Sequence, residues 1–282
     1  MNRKERAEIA EDTLKIIEQG YYINSRAEKI DISKEIKFAV ENSQLYTPAE
    51  LAKIRQKIEE ADSLTNKTEI EVNNETTLQA AERLKTKAEF KKIAVLNFAS
   101  AKNPGGGFLN GSGAQEESLA RSSALYPTIK QMQEMYQSNR KYDSSLYQDY
   151  MIYSPAVPVF KKDRGELIDQ PYLVDFITAP AVNAGAVRAN ETRDRIDQID
   201  AVMKKRIAKI IALAAEKKVE ALVLGAFGCG VFRNDPKMVA QYFNQYLNQE
   251  KYYKKYFKKV VFAVLDRSRE KKTFENFRNE LI

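Results

Sequence analysis

An apolar run, IAVLNFAS at 93–100, does most to restrict the fold, because it lies between a charged stretch and the sequence NPGGG at 103–107. A continuous apolar run with such boundaries predicts a strand buried on both faces of a sheet. Comparable runs occur at 172–181, 220–224 and 260–266, and helical patterns separate them. Strands that alternate with helices over about 200 residues predict an α/β fold, in which three layers (α/β/α) surround a mixed sheet.

The first part of the chain is predicted to be helical. One amphipathic helix ends before Gly20, and the capping sequence TPAE, which starts at Thr47, begins a second helix that runs to about Asp62. These helices have few apolar residues of their own, so they do not form a separate core. We therefore expect an N-terminal helical extension, residues 1–66, packed on an α/β core, residues 67–282.

Prolines predict the limits of three further elements. Two prolines in the segment 151–168 argue for a strand at the edge of the sheet. The helix that begins in SLARSSALYPTI, at 118–129, is expected to end near Pro127. Pro236 suits the first turn of a later helix, which is expected to reach about Tyr253.

The composition excludes several kinds of catalytic site. The chain has no histidine, so Ser-His-Asp triads, Cys-His dyads and histidine-ligated zinc are ruled out. A single cysteine, Cys229, excludes intramolecular disulfides and thiolate metal clusters. Acid–base chemistry must therefore use carboxylates, Lys, Tyr or the substrate. No metal or other cofactor is expected, since no spacing requires Asp163 or Asp175 to bind Mg²⁺.

The charge of the chain is only mildly basic. Lys and Arg number 46 and Asp and Glu 39, which gives a formal net charge of +7. Such an excess is compatible with an anionic ligand and equally with an ordinary surface. Because acidic residues are interspersed throughout, nucleic acid is not the expected partner. The charged N-terminal sequence and the absence of any run near about 18 apolar residues predict no membrane span and a cytoplasmic location.

Two glycine-rich segments each follow a predicted strand and precede a predicted helix. They are Gly105-Gly106-Gly107 and the sequence GAFGCGVF at 225–232. Glycine allows close backbone approach, and successive N–H groups at a helix start can bind an anion, so together the segments could hold a diphosphate. A plain strand-to-helix turn explains either segment alone about equally well. Neither segment matches the dinucleotide-binding fingerprint or the P-loop.

Two adjacent carboxylates, Glu116 and Glu117, fall at the predicted start of the helix after the first glycines. Acidic residues in a first turn can simply complement the helix dipole, and position alone favours that explanation. The neighbouring glycines and the lack of histidine favour a catalytic role instead. Both explanations remain open on these grounds.

The spacing of these motifs resembles that of a known family. Three glycines, then seven residues, then Gln-Glu-Glu at 115–117 is the signature of the poly(ADP-ribose) glycohydrolases, specifically the bacterial type built on a macrodomain. The sequences VLNFASAKNPGGG, GAFGCGVFRNDP and FAVLDRS are similar to other blocks of that family, and the resemblance extends from about Arg6 to Phe277. It implies a macrodomain fold and the hydrolysis of ribose–ribose O-glycosidic bonds in poly(ADP-ribose), which releases ADP-ribose.

The resemblance also implies roles for individual residues. Glu117 would be the catalytic acid and then the base, and Glu116 would hold the neighbouring ribose hydroxyls. The second glycine-rich loop would wrap the diphosphate through its amides, Phe227 would pack on the distal ribose, and Phe277 would stack on adenine. The residues implied to bind substrate are Asn103, Gly105, Gly106, Gly107, Gln115, Gly225, Phe227, Gly228, Cys229, Gly230, Val231, Phe232 and Phe277.

The hydrolysis that the resemblance implies is chemically possible with the carboxylates of this sequence. Hydrolysis of a glycosidic bond needs an acid for the leaving oxygen and a base for water, and one carboxyl group can serve in turn. Poly(ADP-ribose) or ADP-ribosylated protein is the expected partner. Cys229 is expected to be a small packing residue, and the aromatic and lysine-rich segment 242–259 a helix with a core face and a solvated face.

Three alternatives differ in function. A reader would keep the ADP-ribose pocket without turnover, and a mono-ADP-ribosyl hydrolase would act without cleaving the polymer. A nucleic-acid-binding protein is disfavoured by the dispersed charge.

Overall fold

The computed structural model describes residues 1–61, 68–250, 253 and 256–282. The helices of these residues are α1 (Arg3–Gln19), α2 (Ser33–Asn42), α3 (Pro48–Glu60), α4 (Thr77–Thr86), α5 (Gln115–Ser122), α6 (Leu125–Lys130), α7 (Gln133–Lys141), α8 (Ala184–Asn190), α9 (Arg193–Asp197), α10 (Ile199–Glu216), α11 (Pro236–Asn244) and α12 (Lys272–Leu281). The strands are β1 (Tyr21–Ile23), β2 (Lys29–Asp31), β3 (Gln44–Tyr46), β4 (Glu69–Asn73), β5 (Ile93–Ala99), β6 (Met151–Lys161), β7 (Leu167–Pro180), β8 (Ala221–Leu224) and β9 (Lys259–Ala263).

The described strands form a seven-stranded sheet in the order β3-β6-β7-β5-β8-β9-β4 and a separate β1-β2 hairpin. Strands β7, β5, β8, β9 and β4 are parallel, whereas β6 is antiparallel to β7 and to β3. The predicted mixed sheet is therefore confirmed. Since β5, β8 and β9 are neighbours and parallel, the loops after them lie at one edge of the sheet.

The sheet is buried on both faces, as its continuous apolar strands predict. In β8, Leu222 and Leu224 belong to one hydrophobic cluster, with residues of α3, α10, α11 and α12. Ala221 and Val223 belong to a second cluster, with residues of α1, α2, α4 and α5. Successive side chains of a strand point to opposite faces, so the two clusters are the two interfaces of an α/β/α arrangement.

Strand β6 is not an edge strand over its whole length, so that prediction was wrong in part. β3 pairs with Met151–Tyr153 and ends before Pro155 and Pro158. The register with β7 shifts between Ser154 and Val157, where Pro155 lies. The prolines thus lie at an irregularity and beyond the end of β3, where a missing N–H does not interrupt that pairing.

The N-terminal residues include strands as well as the expected helices. The first helix ends at Gly20, whose φ of 77° gives a left-handed cap, and Thr47 and Glu50 form the predicted capping box. β3 also contributes to the main sheet. Asp62, where the second helix was expected to end, and the proposed boundary at 66/67 lie outside the described residues, so that division stays a prediction.

Pro127 does not end a helix. The helix is interrupted earlier, at Ser123 and Ala124, and Pro127 is the third residue of the next helix, α6. The first N–H groups of a helix have no partner within it, so proline is accommodated there. The later helix also ends earlier than predicted, because α11 passes at Asn244 into a short π-helical segment, Gln245–Gln249.

No helix within the described ranges is long and apolar enough to cross a membrane.

Candidate active site

Gln115 fixes the start of α5 to the end of β5. Its Oε1 accepts a hydrogen bond from the Phe98 amide at 2.9 Å, and its Nε2 donates to the Leu96 carbonyl at 2.8 Å. Nε2 also lies 3.2 Å from Thr77 Oγ1. The side chain therefore joins the helix to a buried strand, and this defines where the next two residues point.

Glu116 is buried, with both carboxylate oxygens occupied. The Ser100 amide donates to Oε2 at 2.7 Å, and Asn97 Nδ2 donates to Oε1 at 3.3 Å. Burial, with a smaller contribution from nearby Glu117, raises the pKa of Glu116 to about 8, although hydrogen bonds from Ser100 and Asn97 oppose the shift. Glu116 thus holds a proton over much of the neutral range.

Glu117 differs from Glu116 because one of its oxygens has no partner among the described residues. The Gly107 amide donates to Oε1 at 3.0 Å. Oε2 is buried and accepts no hydrogen bond from any described residue. A buried carboxylate oxygen without a donor is uncommon and costly, and is typical of a group that waits for a ligand. Glu117 is therefore held by one oxygen and available through the other.

The triple glycine brings the backbone close to these carboxylates. Gly106 has a φ of +57°, and a Cβ at this position would overlap Glu117 Oε1 and lie 3.2 Å from Glu116 Oε2. A Cβ on Gly107 would lie 2.5 Å from Ser112 Oγ. Only glycine satisfies both the left-handed backbone and the close approach. The glycines predicted to face a ligand thus also line the carboxylate pair.

The second glycine-rich loop follows β8 and presents unused amides. Gly228 has a φ of +72°, and its Cβ would lie 2.5 Å from the Cβ of Ala181. Asn234 Nδ2 donates to the carbonyls of Val182 at 2.7 Å and Gly228 at 2.9 Å, which fixes the loop. In the described part of the chain, six amides of this loop donate to no protein acceptor, and four of them follow Phe227; these four are Gly228, Gly230, Val231 and Phe232. Several free amides in one loop favour anion binding.

The thiol in this loop has no nucleophilic environment. Cys229 Sγ lies 3.6 Å from the Phe227 carbonyl, and burial raises the pKa of the thiol. The nucleophile of a cysteine is its thiolate, which this environment disfavours. The geometry agrees with a packing role for Cys229.

Phe227 and Phe277, which were expected to contact the ribose and the adenine, are buried. Phe227 packs against Phe98, with ring centroids 5.6 Å apart, and lies within the second glycine-rich loop. Phe277 lies in α12 and packs on Phe262 in the core, with no exposed surface. A ring in this position cannot stack on adenine, so the stacking role expected for Phe277 is wrong for this conformation. Contact of Phe227 with a ribose stays a prediction.

Two asparagines take different positions at the site. Asn103 is exposed, and its carbonyl accepts a hydrogen bond from the Gly106 amide. Asn97 is fully buried, and its side chain donates to Glu116 and to Thr178 Oγ1 while its Oδ1 has no partner among the described residues. Asn97 thus orients Glu116, and Asn103 is the one that a solvent-borne ligand can reach.

A cavity of about 940 Å³ adjoins the start of α5 and the carboxyl ends of β5, β8 and β9. Phe98, Gln115, Ala226 and Leu265 line it, whereas the two glutamates do not. Its volume lies in the range of ligand sites. The cavity therefore offers space beside the carboxylates for the larger part of a ligand.

Several residues that hold the site were not predicted. Ser100, Ser112, Thr178 and Asn234 act through contacts between different segments of the chain, and no local pattern indicates such contacts. Among the described residues, no group of His, Cys, Asp and Glu could hold a metal ion.

The protonation of Glu116 predicts how stability depends on pH. Its folded-state pKa of about 8 exceeds the ordinary 4.5, so between these values the folded protein holds a proton that the unfolded chain lacks. Stability is therefore lost as the pH rises through this window. Glu116→Gln cannot lose this proton, so we expect the Tm of the variant minus that of the wild type to grow between about pH 5 and about pH 9. Glu18→Gln, at an exposed position, serves as the control. If the Tm difference from the wild type is independent of pH for both variants, the raised pKa of Glu116 is contradicted.

Comparison with known proteins places this arrangement in a family. The sequence matches the family described as "Microbial-type PARG, catalytic domain" over residues 10–162. No curated protein sequence matches the chain.

Solved structures match over nearly the full chain. The poly(ADP-ribose) glycohydrolase (PARG) of Thermomonospora curvata is 40% identical, with a TM-score of 0.92, covering 99% of this chain and 100% of that one. The same enzyme bound to the inhibitor ADP-HPD gives 40% and 0.90, covering 98% and 99%. The Deinococcus radiodurans PARG in complex with ADP-ribose gives 41% and 0.82, covering 89% and 98%. The macrodomain-like fold expected from the sequence is thereby confirmed, and the chain belongs to the microbial-type poly(ADP-ribose) glycohydrolase family.

Proposed function

We propose that this chain hydrolyses the ribose–ribose O-glycosidic bonds of poly(ADP-ribose), with Glu117 as general acid and then general base. The observation that carries the proposal is that Oε2 of Glu117 has no partner in the described part of the chain and lies next to a backbone that only glycine allows. Family membership supports it, because the related crystal structures are of poly(ADP-ribose) glycohydrolases, with ADP-ribose or an inhibitor bound.

The difference between the two glutamates supports Glu117 as the reacting group. Both oxygens of Glu116 accept hydrogen bonds, and its raised pKa keeps it protonated near neutral pH. Glu117 has one oxygen free to reach the glycosidic oxygen. In the first step it donates a proton to the glycosidic oxygen as the bond from this oxygen to the anomeric carbon breaks and positive charge develops at that carbon. In the second step it takes a proton from the water molecule whose oxygen bonds to the anomeric carbon.

Substrate is held beside Glu117 by the two glycine-rich loops. The free amides of Gly228, Gly230, Val231 and Phe232 bind the diphosphate, since four uncommitted N–H groups suit its oxygens. A protonated Glu116 can donate to a ribose hydroxyl as well as accept from one. The adenosine part of the ligand occupies the cavity beside Phe98 and Leu265.

The test is release of ADP-ribose from poly(ADP-ribose) by the purified chain, with ADP-ribose affinity measured in parallel. We expect saturable release without added metal. Binding without release would favour the reader alternative, and release only from mono-ADP-ribosylated protein would favour the mono-ADP-ribosyl hydrolase. The cytoplasmic location expected from the sequence stays a prediction, which fractionation of cells producing the untagged chain tests.

A further inference from the structure

Three arginines hold three consecutive carbonyl groups of the loop that joins the glycines to α5. Arg3 Nε donates to the Asn110 carbonyl at 2.8 Å, and Arg6 Nε donates to the Gly111 carbonyl at 2.6 Å. Arg121 Nη1 donates to the Ser112 carbonyl at 2.6 Å. Arg3 and Arg6 belong to α1, whereas Arg121 lies in α5 itself. Bonds to charged donors are stronger than ordinary ones, so this loop is firmly fixed from two sides.

The helix α1 also packs directly against both halves of the site. Ala10 forms a small buried cluster with Phe108, which follows the glycines, and with Ala120 of α5. Thr13 Oγ1 donates to the Arg121 carbonyl at 2.5 Å. A Cβ on Gly111 would overlap the Arg3 carbonyl, so the two backbones are in close contact. One helix therefore holds both the glycine loop and the helix that carries the glutamates.

The held loop is connected to the reacting carboxylate through a short chain of contacts. The Ser112 amide donates to the Gly107 carbonyl at 3.1 Å, and the Gly107 amide donates to Glu117 Oε1 at 3.0 Å. Ser112 Oγ also lies against the Cα of Gly107, where a Cβ would be 2.5 Å away. A displacement of Ser112 would thus move the only described donor to Glu117.

We propose that α1 holds Gly107 against Glu117, with Arg3 and Arg6 as positioning residues for the hydrolysis. The inference rests on the proposed role of Glu117 and gives the first helix a part in catalysis. Both arginines act through the carbonyls of Asn110 and Gly111. Arg6 also lines the cavity beside the site, so ADP-ribose affinity is measured separately from kcat. A small displacement of a reacting group slows the chemical step strongly, so removal of the two arginines is expected to lower mainly kcat.

The test compares two double variants of the full chain. Arg3→Ala/Arg6→Ala removes both donors, and we expect kcat for ADP-ribose release to fall about tenfold to a hundredfold. KM and ADP-ribose affinity change by less than about threefold, since ground-state binding is retained. The matched control, Lys4→Ala/Lys15→Ala, removes two charges from exposed positions of the same helix and keeps the wild-type kcat. Arg3→Lys/Arg6→Lys, which restores a donor at each position, recovers part of the lost kcat.

An unchanged kcat in the arginine double variant overturns the proposal. So does an equal fall in the lysine control, which would indicate a general charge effect on an anionic substrate. A parallel fall in ADP-ribose affinity would mean that the site collapses rather than shifts, and would overturn it too. If the double variant does not fold, the single variants Arg3→Ala and Arg6→Ala are compared with the wild type instead, again by kcat and by ADP-ribose affinity. Glu117→Gln in the same assay distinguishes the failure of the two proposals. If this variant is fully active, Glu117 does not have the proposed catalytic role. If it is inactive while the arginine double variant keeps the wild-type kcat, only the proposed role of α1 is wrong.

Discussion

We expect Glu117→Gln to release ADP-ribose from poly(ADP-ribose) at least about a thousandfold more slowly than the wild type, because the variant loses general acid–base catalysis. The amide keeps the shape of the carboxyl group, and its oxygen can still accept the hydrogen bond from Gly107. It cannot donate a proton to the leaving hydroxyl and recover one from water. ADP-ribose therefore still binds, and single-turnover release together with calorimetric titration of ADP-ribose measures the two properties separately.

The control for this experiment is a glutamate outside the site. Glu18→Gln changes an exposed side chain of α1 and should leave both release and affinity unchanged. Loss of binding together with release in Glu117→Gln would point to a structural role for Glu117. Release at the wild-type rate would show that another group supplies the proton, and Glu116, which is already protonated near neutral pH, would be the next residue to test.

The α/β architecture could be predicted because the strands carry a strong local signal. β5 and β8 are continuous apolar runs, and a parallel strand buried on both faces requires this pattern. The helix caps at Gly20 and Thr47 could also be predicted from the sequence, because each depends on residues within one turn. Elements defined by contacts across the fold could not be predicted in this way. β3 has three residues and exists through its pairing with β6.

The site was predictable in part. The spacing of the glycines and Gln-Glu-Glu identified the family, but it did not indicate how Glu116 and Glu117 differ. That difference comes from Ser100, Asn97 and Gly107, which reach the two carboxylates from other segments. Phe277 illustrates the opposite error: an aromatic residue in a loosely similar segment packs in the core.

The structure also changes the explanation for the triple glycine. Pattern reasoning assigns the glycines to the approach of a diphosphate, whereas Gly106 and Gly107 contact the carboxylates of the protein itself. The uncommitted amides that suit a diphosphate lie instead in the loop after β8. The first glycine segment therefore positions Glu117, and the second is the better candidate for holding the anion.

Gly106→Ala tests this division directly, and we expect it to lower kcat by about a hundredfold or more. The added Cβ would overlap Glu117 Oε1 and lie 3.2 Å from Glu116 Oε2, so the carboxylates must move. The left-handed φ of +57° also costs an alanine about 1–2 kcal/mol of stability. Steady-state release of ADP-ribose and the Tm of the variant measure the two effects.

Gly113→Ala is the matched control for Gly106→Ala, since it changes the same kind of residue in the segment that leads into α5. Its nearest neighbour would be Arg6 at 3.4 Å, an ordinary contact, and its φ is not left-handed. We expect it to keep the wild-type kcat.

If Gly106→Ala loses ADP-ribose affinity as strongly as kcat, the first glycine segment binds the ligand as well as placing Glu117. If it keeps the wild-type kcat, the carboxylate can move without harm, and close approach of the backbone is not what the reaction requires. A selective loss of kcat would instead establish that the glycines serve the position of Glu117, because the free amides after β8 would still hold the diphosphate.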